Sequence, residues 1–274
     1  MSTPAPEQPD VPELRAPDHT HRLPTSDGLT LTVYEWAGTA EALPVFLHHG
    51  FSASAFVEWP RSGLPQTLLA QGRRVLAVDA RGHGASDAPH DNAFYGETRM
   101  AQDVLEVLEA LGLAQVDLAG YSMGSVVSLI FASRHSDRLR RLVVGGVGAG
   151  IVEVGGVDTR ALPSSELARA LRASDPGELG DDLLQGFRMF AASTGNDLLA
   201  LAAQADVVHA SPIDLAAIAV PTLVVAGDED PLAVRPQVLA DAVPGARVQP
   251  VTGDHATAFS DPRFAQEIAA FLQP

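Results

Sequence analysis

The sequence contains neither cysteine nor lysine. Without cysteine there is no thiol nucleophile, no disulfide and no thiolate metal ligand, and the redox compartment stays undecided. All 18 basic residues are arginine, which excludes Schiff-base chemistry, a Ser-Lys dyad and a phosphate-loop lysine. Positive charge is scarce as well: 34 acidic residues leave a formal net charge of -16. Such a chain is repelled by nucleic acid and by anionic membrane surfaces, so neutral or weakly polar small molecules are the expected partners. Long apolar runs are also missing. No uncharged stretch is longer than residues 118–133, which are too few to span a bilayer. The first ten residues carry neither a basic start nor an apolar centre, so no secretory signal is read and the expected location is cytoplasmic.

What is present fits one large α/β domain with an insertion: 274 residues, 46% of them hydrophobic and 19% charged. Residues 116–134 organise the reading. The apolar run Val116-Asp117-Leu118-Ala119 ends in Gly120, Ser122 follows two residues on, Gly124 two after that, and an apolar run of helical length then begins. This is strand, sharp turn and helix. A serine at the apex of such a turn crowds the residues two before and two after it, where only glycine fits. The Met123 amide opens the helix, where unpaired N–H groups and the helix dipole favour a developing oxyanion. Ser122 is therefore the candidate nucleophile.

Residues 1–18 are rich in proline and acid without periodicity and are expected to form a mobile arm. Two strand-like segments, 21–23 and 29–36, are joined through an Asp27-Gly28 step, a hairpin signal. The strand 45–48 runs into His49-Gly50-Phe51, where a turn at the glycine offers the Phe51 amide as a second oxyanion donor. A further strand, 74–78, ends in the loop 79–87, in which His83 is read as structural. Apolar residues from Met100 to Leu111 fall on one helical face between Thr98 as N-cap and Gly112 as C-cap. The glycines at 145–150 do not match a dinucleotide fingerprint, because Ile151 or Glu153 stands where the third glycine belongs.

Residues 150–210 break the alternation of strand and helix. Helical patterns at 165–172, 181–190 and 197–208 follow one another with no strand between them, and they are expected to form a helical cap over the strand ends. Its apolar residues, including Leu184, Phe187, Met189 and Phe190, serve either their own packing or a substrate pocket. Strands then resume at 221–226 and 247–251, with a short helix near 237–242 between them and a last helix after Asp261-Pro262. The pattern predicts a mostly parallel, doubly wound α/β sheet: an arm over 1–18, a core over 19–149 and 211–274, and a cap over 150–210.

In such a sheet, chemistry gathers beyond the carboxyl ends of the strands. Four of those ends carry Phe51, Ser122, the turn Asp228-Glu229-Asp230 and His255. A serine attacks only when a base takes its proton, and the base needs a third group to fix its tautomer. His255 and a carboxylate of that turn fill these roles. His19 and His21 lack further ligands, so no metal site is expected.

Taken together, His49-Gly50-Phe51, Asp79-Ala80-Arg81-Gly82-His83-Gly84-Ala85-Ser86, Gly120-Tyr121-Ser122-Met123-Gly124, Gly227-Asp228-Glu229-Asp230 and Gly253-Asp254-His255 resemble the α/β-hydrolase fold superfamily over nearly the whole length after the arm. The resemblance implies Asp230 rather than Asp228 as the acid, with Asp228 closing the turn and Asp254 pointing away from the ring. It implies the Phe51 and Met123 amides as oxyanion donors and a structural hydrogen-bonding role for His49. The implied activity is a serine hydrolase acting on an ester-like carbonyl without a cofactor. A serine nucleophile sets aside haloalkane dehalogenase and epoxide hydrolase chemistry. Esterase, perhydrolase of the cofactor-free haloperoxidase type, lactonase, thioesterase and carbon–carbon bond hydrolase remain open. So do a ligand-binding protein that keeps the triad and a fold serving only as an interaction scaffold.

Overall fold

Short runs of valine, leucine and alanine, too brief for helices and closed by glycine or charged turns, become strands that are buried on both faces. The computed structural model describes residues 13–273. The strands are β1 (His19–Pro24), β2 (Thr30–Trp36), β3 (Val45–His48), β4 (Val75–Asp79), β5 (Val116–Tyr121), β6 (Leu139–Gly145), β7 (Thr222–Gly227) and β8 (Arg247–Val251). They form one sheet in the order β1-β2-β4-β3-β5-β6-β7-β8. The hairpin of β1 and β2 pairs antiparallel and β2 pairs antiparallel with β4, whereas every pairing from β4 to β8 is parallel.

The helices are α1 (Ala55–Ser62), α2 (Leu64–Ala70), α3 (Glu97–Ala110), α4 (Met123–Arg134), α5 (Gly150–Glu153), α6 (Ser164–Arg172), α7 (Asp182–Ser193), α8 (Leu198–Ala205), α9 (Pro236–Ala242) and α10 (Pro262–Phe271). Because side chains alternate along a strand, each strand feeds two cores. Phe46, Leu76, Leu118, Val144 and Val224 pack with Met100 and Val104 of α3, Val126 and Ile130 of α4 and Leu239 of α9. Val45, Leu47, Ala119, Val143 and Val225 pack on the other face with Trp59 of α1, Leu68 of α2 and Phe264 and Ile268 of α10. These two cores make the central strands rigid, and their carboxyl ends meet along one rim.

Several local expectations change. Helices α1 and α2 occupy a stretch that sequence periodicity passes over, because Pro60 lies inside α1 and Gly63 and Pro65 interrupt the pattern between the two. Helix α3 starts at Glu97 after Gly96, whose φ of 104° suits glycine alone, so Thr98 lies within the first turn instead of capping it. The short α5 after the glycine-rich stretch was not anticipated either. The expected arm lies outside the described residues as far as position 12. Its last part is pinned rather than free: Leu14 packs against the core, and the Trp36 indole donates to the Arg15 carbonyl at 2.8 Å.

Residues between β6 and β7 contain no strand, and α6, α7 and α8 build a small core of their own from Leu167, Leu171, Ala191 and Leu201. Leu184 is buried with Ala170 and Leu179, whereas Met189 and Phe190 are exposed. Phe187 packs at the edge of this core and lies parallel to the Phe51 ring of the main domain, with centroids 6.0 Å apart. No helix among the described residues is long and apolar enough to cross a membrane.

At the amino ends of the strands, Asp117 is fully buried between two guanidinium groups, with Arg73 Nη2 and Arg140 Nη2 each 2.5 Å away. Arg73 also donates to the carbonyls of Leu43 and Leu272, which ties β5 to the carboxyl terminus of the chain. Asp117→Asn leaves these cations without their counter-charge and is expected to lower stability by about 3 kcal/mol. Urea unfolding at neutral pH measures this, and a loss below about 1 kcal/mol would show that the cluster is solvated well enough not to matter.

Candidate active site

The turn between β5 and α4 holds Ser122 at φ 52° and ψ -116°, a region that β-substituted residues rarely occupy. The surrounding glycines make it possible by close approach. A β-carbon at Gly120 would lie 2.2 Å from the Gly124 carbonyl oxygen, and one at Gly124 would lie 2.0 Å from the His48 carbonyl oxygen. At Gly50 an added β-carbon would come within 3.3 Å of Ser122 Cβ, so the loop after β3 runs directly against the serine. Met123 is the first residue of α4, and its amide has no partner inside the helix.

The loop after β8 brings His255 to this turn. Its Nε2 lies 2.9 Å from Ser122 Oγ, and its Nδ1 lies 2.8 Å from Asp230 Oδ2. With Asp230 ionised, Nδ1 carries the proton and Nε2 is free to accept from the serine hydroxyl. Asp230 is buried, and its other oxygen accepts from the Leu232 amide at 2.8 Å. The Tyr121 hydroxyl donates to the His255 carbonyl at 2.9 Å, which fixes the backbone that carries the imidazole.

The other two acids of these loops face elsewhere. Asp228 Oδ1 accepts from the Gly253 amide at 2.9 Å, joining the loops after β7 and β8. Asp254 accepts from the Ala256 and Thr257 amides and from the Thr257 hydroxyl in a local turn. These bonds lower the pKa of its carboxyl, the Thr257 hydroxyl contributing most.

The loop beside Ser122 rests on buried groups. His49 Nδ1 donates to the Gly50 carbonyl at 2.8 Å while its Nε2 accepts from the Ala80 amide at 3.0 Å. His83 Nδ1 pairs with the Arg81 carbonyl at 3.0 Å, which leaves its Nε2 to accept from the Ser52 amide at 3.2 Å. Burial lowers the pKa of His49 and His83 to about 3 and that of His48 to about 4, so all three imidazoles are neutral at physiological pH. His83 thus braces the loop 49–53 and does not reach the serine's proton.

Glu58 of α1, Tyr121 and Asn196 belong to this site although periodicity and spacing did not single them out. Glu58 lies in the stretch that periodicity passes over, and Asn196 lies in a polar connection between α7 and α8. Only the signal of a polar residue at a fully buried position would have found them, and burial there is set by distant parts of the chain. Access is narrow: Ser122 is 7% exposed and the His255 side chain 27%. A cavity of about 490 Å³ exists elsewhere, between α6 and the end of α8, lined by Ala168, Arg172, Leu179 and Asp206 and by none of the residues around Ser122. Among the described residues no cluster of histidine and carboxylate could hold a metal ion.

Comparison with known proteins agrees with this architecture. Residues 44–213 match the family model for the α/β hydrolase fold. A 2-hydroxymuconate semialdehyde hydrolase from Pseudomonas putida is 37% identical over 136 residues, covering 49% of this chain and 47% of the relative. The chain spans about half the length of the curated relatives it matches. Among solved structures, a hydrolase from Pseudomonas aeruginosa PA01 aligns with 94% of this chain and 99% of its own, at 28% identity and a TM-score of 0.74. An esterase from Exiguobacterium antarcticum aligns with 92% of this chain and 99% of its own, at 23% identity and a TM-score of 0.75, a likeness of fold.

Glu58 gives the buried shell a measurable signature. Its carboxyl accepts from the Gly50 amide at 3.0 and 3.2 Å, and burial raises its pKa to about 8. In the unfolded chain the same group ionises near its ordinary value of 4.5. Between these values the folded state binds the additional proton, so stability falls as pH rises through the window. Burial raises Glu97 to about 7 and adds a slope of the same sign. Glu58→Gln stays neutral throughout and is expected to flatten the decline between pH 5 and 8 in urea titrations. Equal slopes in the two proteins would show that Glu58 ionises in place.

Proposed function

The chain belongs to the α/β hydrolase fold family, and on that premise we propose that it is a serine hydrolase acting on small, uncharged ester-like substrates. The carrying observation is the unbroken line from Asp230 Oδ2 through His255 to Ser122 Oγ, with both contacts at hydrogen-bond length. In this reading Ser122 Oγ attacks the substrate carbonyl as His255 Nε2 takes its proton, and Asp230 stabilises the resulting imidazolium. The tetrahedral oxyanion is held by the Phe51 and Met123 amides. His255 then gives its proton to the leaving alcohol, and the acyl group remains on Ser122. Water enters, loses a proton to His255 and releases the acid by the same path in reverse.

Residues 150–210 act in this reading as a cap over the site, supported by the packing of Phe187 on Phe51. The net charge of -16 and the low exposure of Ser122 support a neutral substrate with a small acyl group. A second reading, action on an anionic semialdehyde, is favoured by the likeness to the Pseudomonas putida enzyme. The charge of the chain opposes that substrate's approach, so the neutral ester stands first.

Intact-mass measurement after exposure to a small fluorophosphonate is expected to show one adduct on the natural chain and none on Ser122→Ala. Turnover of short-chain p-nitrophenyl esters is expected to fall at least about 10⁴-fold in that variant. Its thermal stability should stay within about 1 kcal/mol, because the serine hydroxyl is not core packing. Retained turnover in Ser122→Ala would overturn the mechanism. Labelling with single turnover and tight retention of the product would assign ligand binding instead.

A further inference from the structure

We propose that Asn196, in the connection between α7 and α8, is a positioning residue that locks the helical insertion to the oxyanion loop and so holds the Phe51 amide in place. The inference rests on the serine-hydrolase reading above and adds a residue to it. Asn196 comes from a segment far from the loop in sequence, and it is 9% exposed. Its Nδ2 lies 3.0 Å from each of the Ser52 carbonyl, the Ala53 carbonyl and Thr194 Oγ1. Its Oδ1 accepts from the Gly84 amide at 2.7 Å. The chemistry of these partners fixes the side chain's orientation. Two carbonyls face the nitrogen and an amide donor faces the oxygen, so a flipped amide would oppose like to like at those three contacts, while the Thr194 hydroxyl suits either orientation.

Most polar backbone groups of the loop are paired. The Gly50 amide donates to Glu58, and the Gly50 carbonyl accepts from His49 and from the Ala53 amide. The Ser52 amide donates to His83, and the Ser52 and Ala53 carbonyls accept from Asn196. The Phe51 amide has no protein acceptor among the described residues. Ser52, next to it, is buried at φ 61°, a strained conformation for a residue with a β-carbon. His83 holds the amide side of Ser52 and Asn196 holds its carbonyl side. Removal of Asn196 leaves two carbonyls without a donor and frees Ser52 to relax, which turns the adjoining Phe51 peptide away from the serine. Asn196 also joins this loop to Gly84 in the loop after β4, so the insertion, the oxyanion loop and that loop move as one body at this point.

The test compares the natural chain with Asn196→Asp, Asn196→Ala and Arg172→Ala. Aspartate has the same shape and keeps the Gly84 contact but presents oxygen to the Ser52 and Ala53 carbonyls. Alanine removes the latch without adding charge, so the test stands even if the aspartate variant fails to fold. Arg172→Ala cuts the exposed Arg172–Asp206 pair between α6 and the end of α8, loosening the insertion away from the loop. Each protein is treated with the small fluorophosphonate, and the endpoint of labelling is read separately from its rate. A complete endpoint shows folded sites; the rate reports the oxyanion donor. The expected result is a full endpoint in Asn196→Ala with the rate lowered about 10- to 100-fold. In this variant kcat for p-nitrophenyl acetate should fall by the same factor while KM stays within about threefold. Arg172→Ala is expected to remain within about twofold of the natural chain. An unchanged rate in Asn196→Ala, a raised KM with unchanged kcat, an incomplete endpoint that accounts for the whole loss, or an equal loss in Arg172→Ala would overturn the proposal. A natural chain that takes no label would overturn the hydrolase reading itself, and this inference with it.

Discussion

The backbone at Ser122 cannot hold φ 52° unaided, and much of the molecule is arranged to keep it there. The strain is carried by contacts too close for any side chain: Gly120 against Gly124, Gly124 against the end of β3, and Gly50 against the serine itself. These contacts require β3 and β5 to be neighbours, parallel and in a fixed register, as His48 opposite Gly120 shows. The two cores on either face of the sheet supply that rigidity. A strained turn of this kind places a hydroxyl at the rim and starts a helix immediately behind it, so the Ser122 hydroxyl and the unpaired Met123 amide arise from one local geometry.

Around that turn the protein uses neutral polar groups. His48, His49 and His83 are held uncharged by burial, and Glu58 keeps its proton through neutral pH. An uncharged shell satisfies the backbone of the loop 49–53 by hydrogen bonding alone. Full charges are placed farther away, in the Asp117 cluster at the opposite end of the strands and in the network of Arg81 with Asp103 and Asp27. Asp230 is the buried carboxylate that meets His255, and its second oxygen is satisfied by a backbone amide.

The helical insertion reaches the same loop from above. Its small core is its own, yet Phe187 lies on Phe51 and Asn196 grips the carbonyls of Ser52 and Ala53. Whatever freedom α6 and α7 have, the joint between α7 and α8 is tied to the rim. The loop 49–53 is therefore joined by hydrogen bonds and a ring contact to a segment that the sequence pattern alone assigns to a separate layer.

The spacing Gly120, Ser122, Gly124 was legible in the sequence because its cause is local: a sharp turn crowds positions two residues away, and glycine records that directly. The alternation of apolar strands and amphipathic helices was legible for the same reason, since each element's period is written in its own residues. The limits of that logic lie at α1 and α2, where prolines blurred the period, and at α3, where Gly96 caps the helix two residues before Thr98. The sequence thus determined the sheet, the turn and the chemical types gathered on one rim. The tertiary structure alone decided which carboxylate faces the imidazole, since Asp228 and Asp230 lie two residues apart in one turn and differ only in whether Gly253 or His255 comes to meet them. It alone decided the roles of Glu58 and Asn196, because a polar side chain becomes a fixed hydrogen-bonding group only where distant segments bury it and bring its partners within reach.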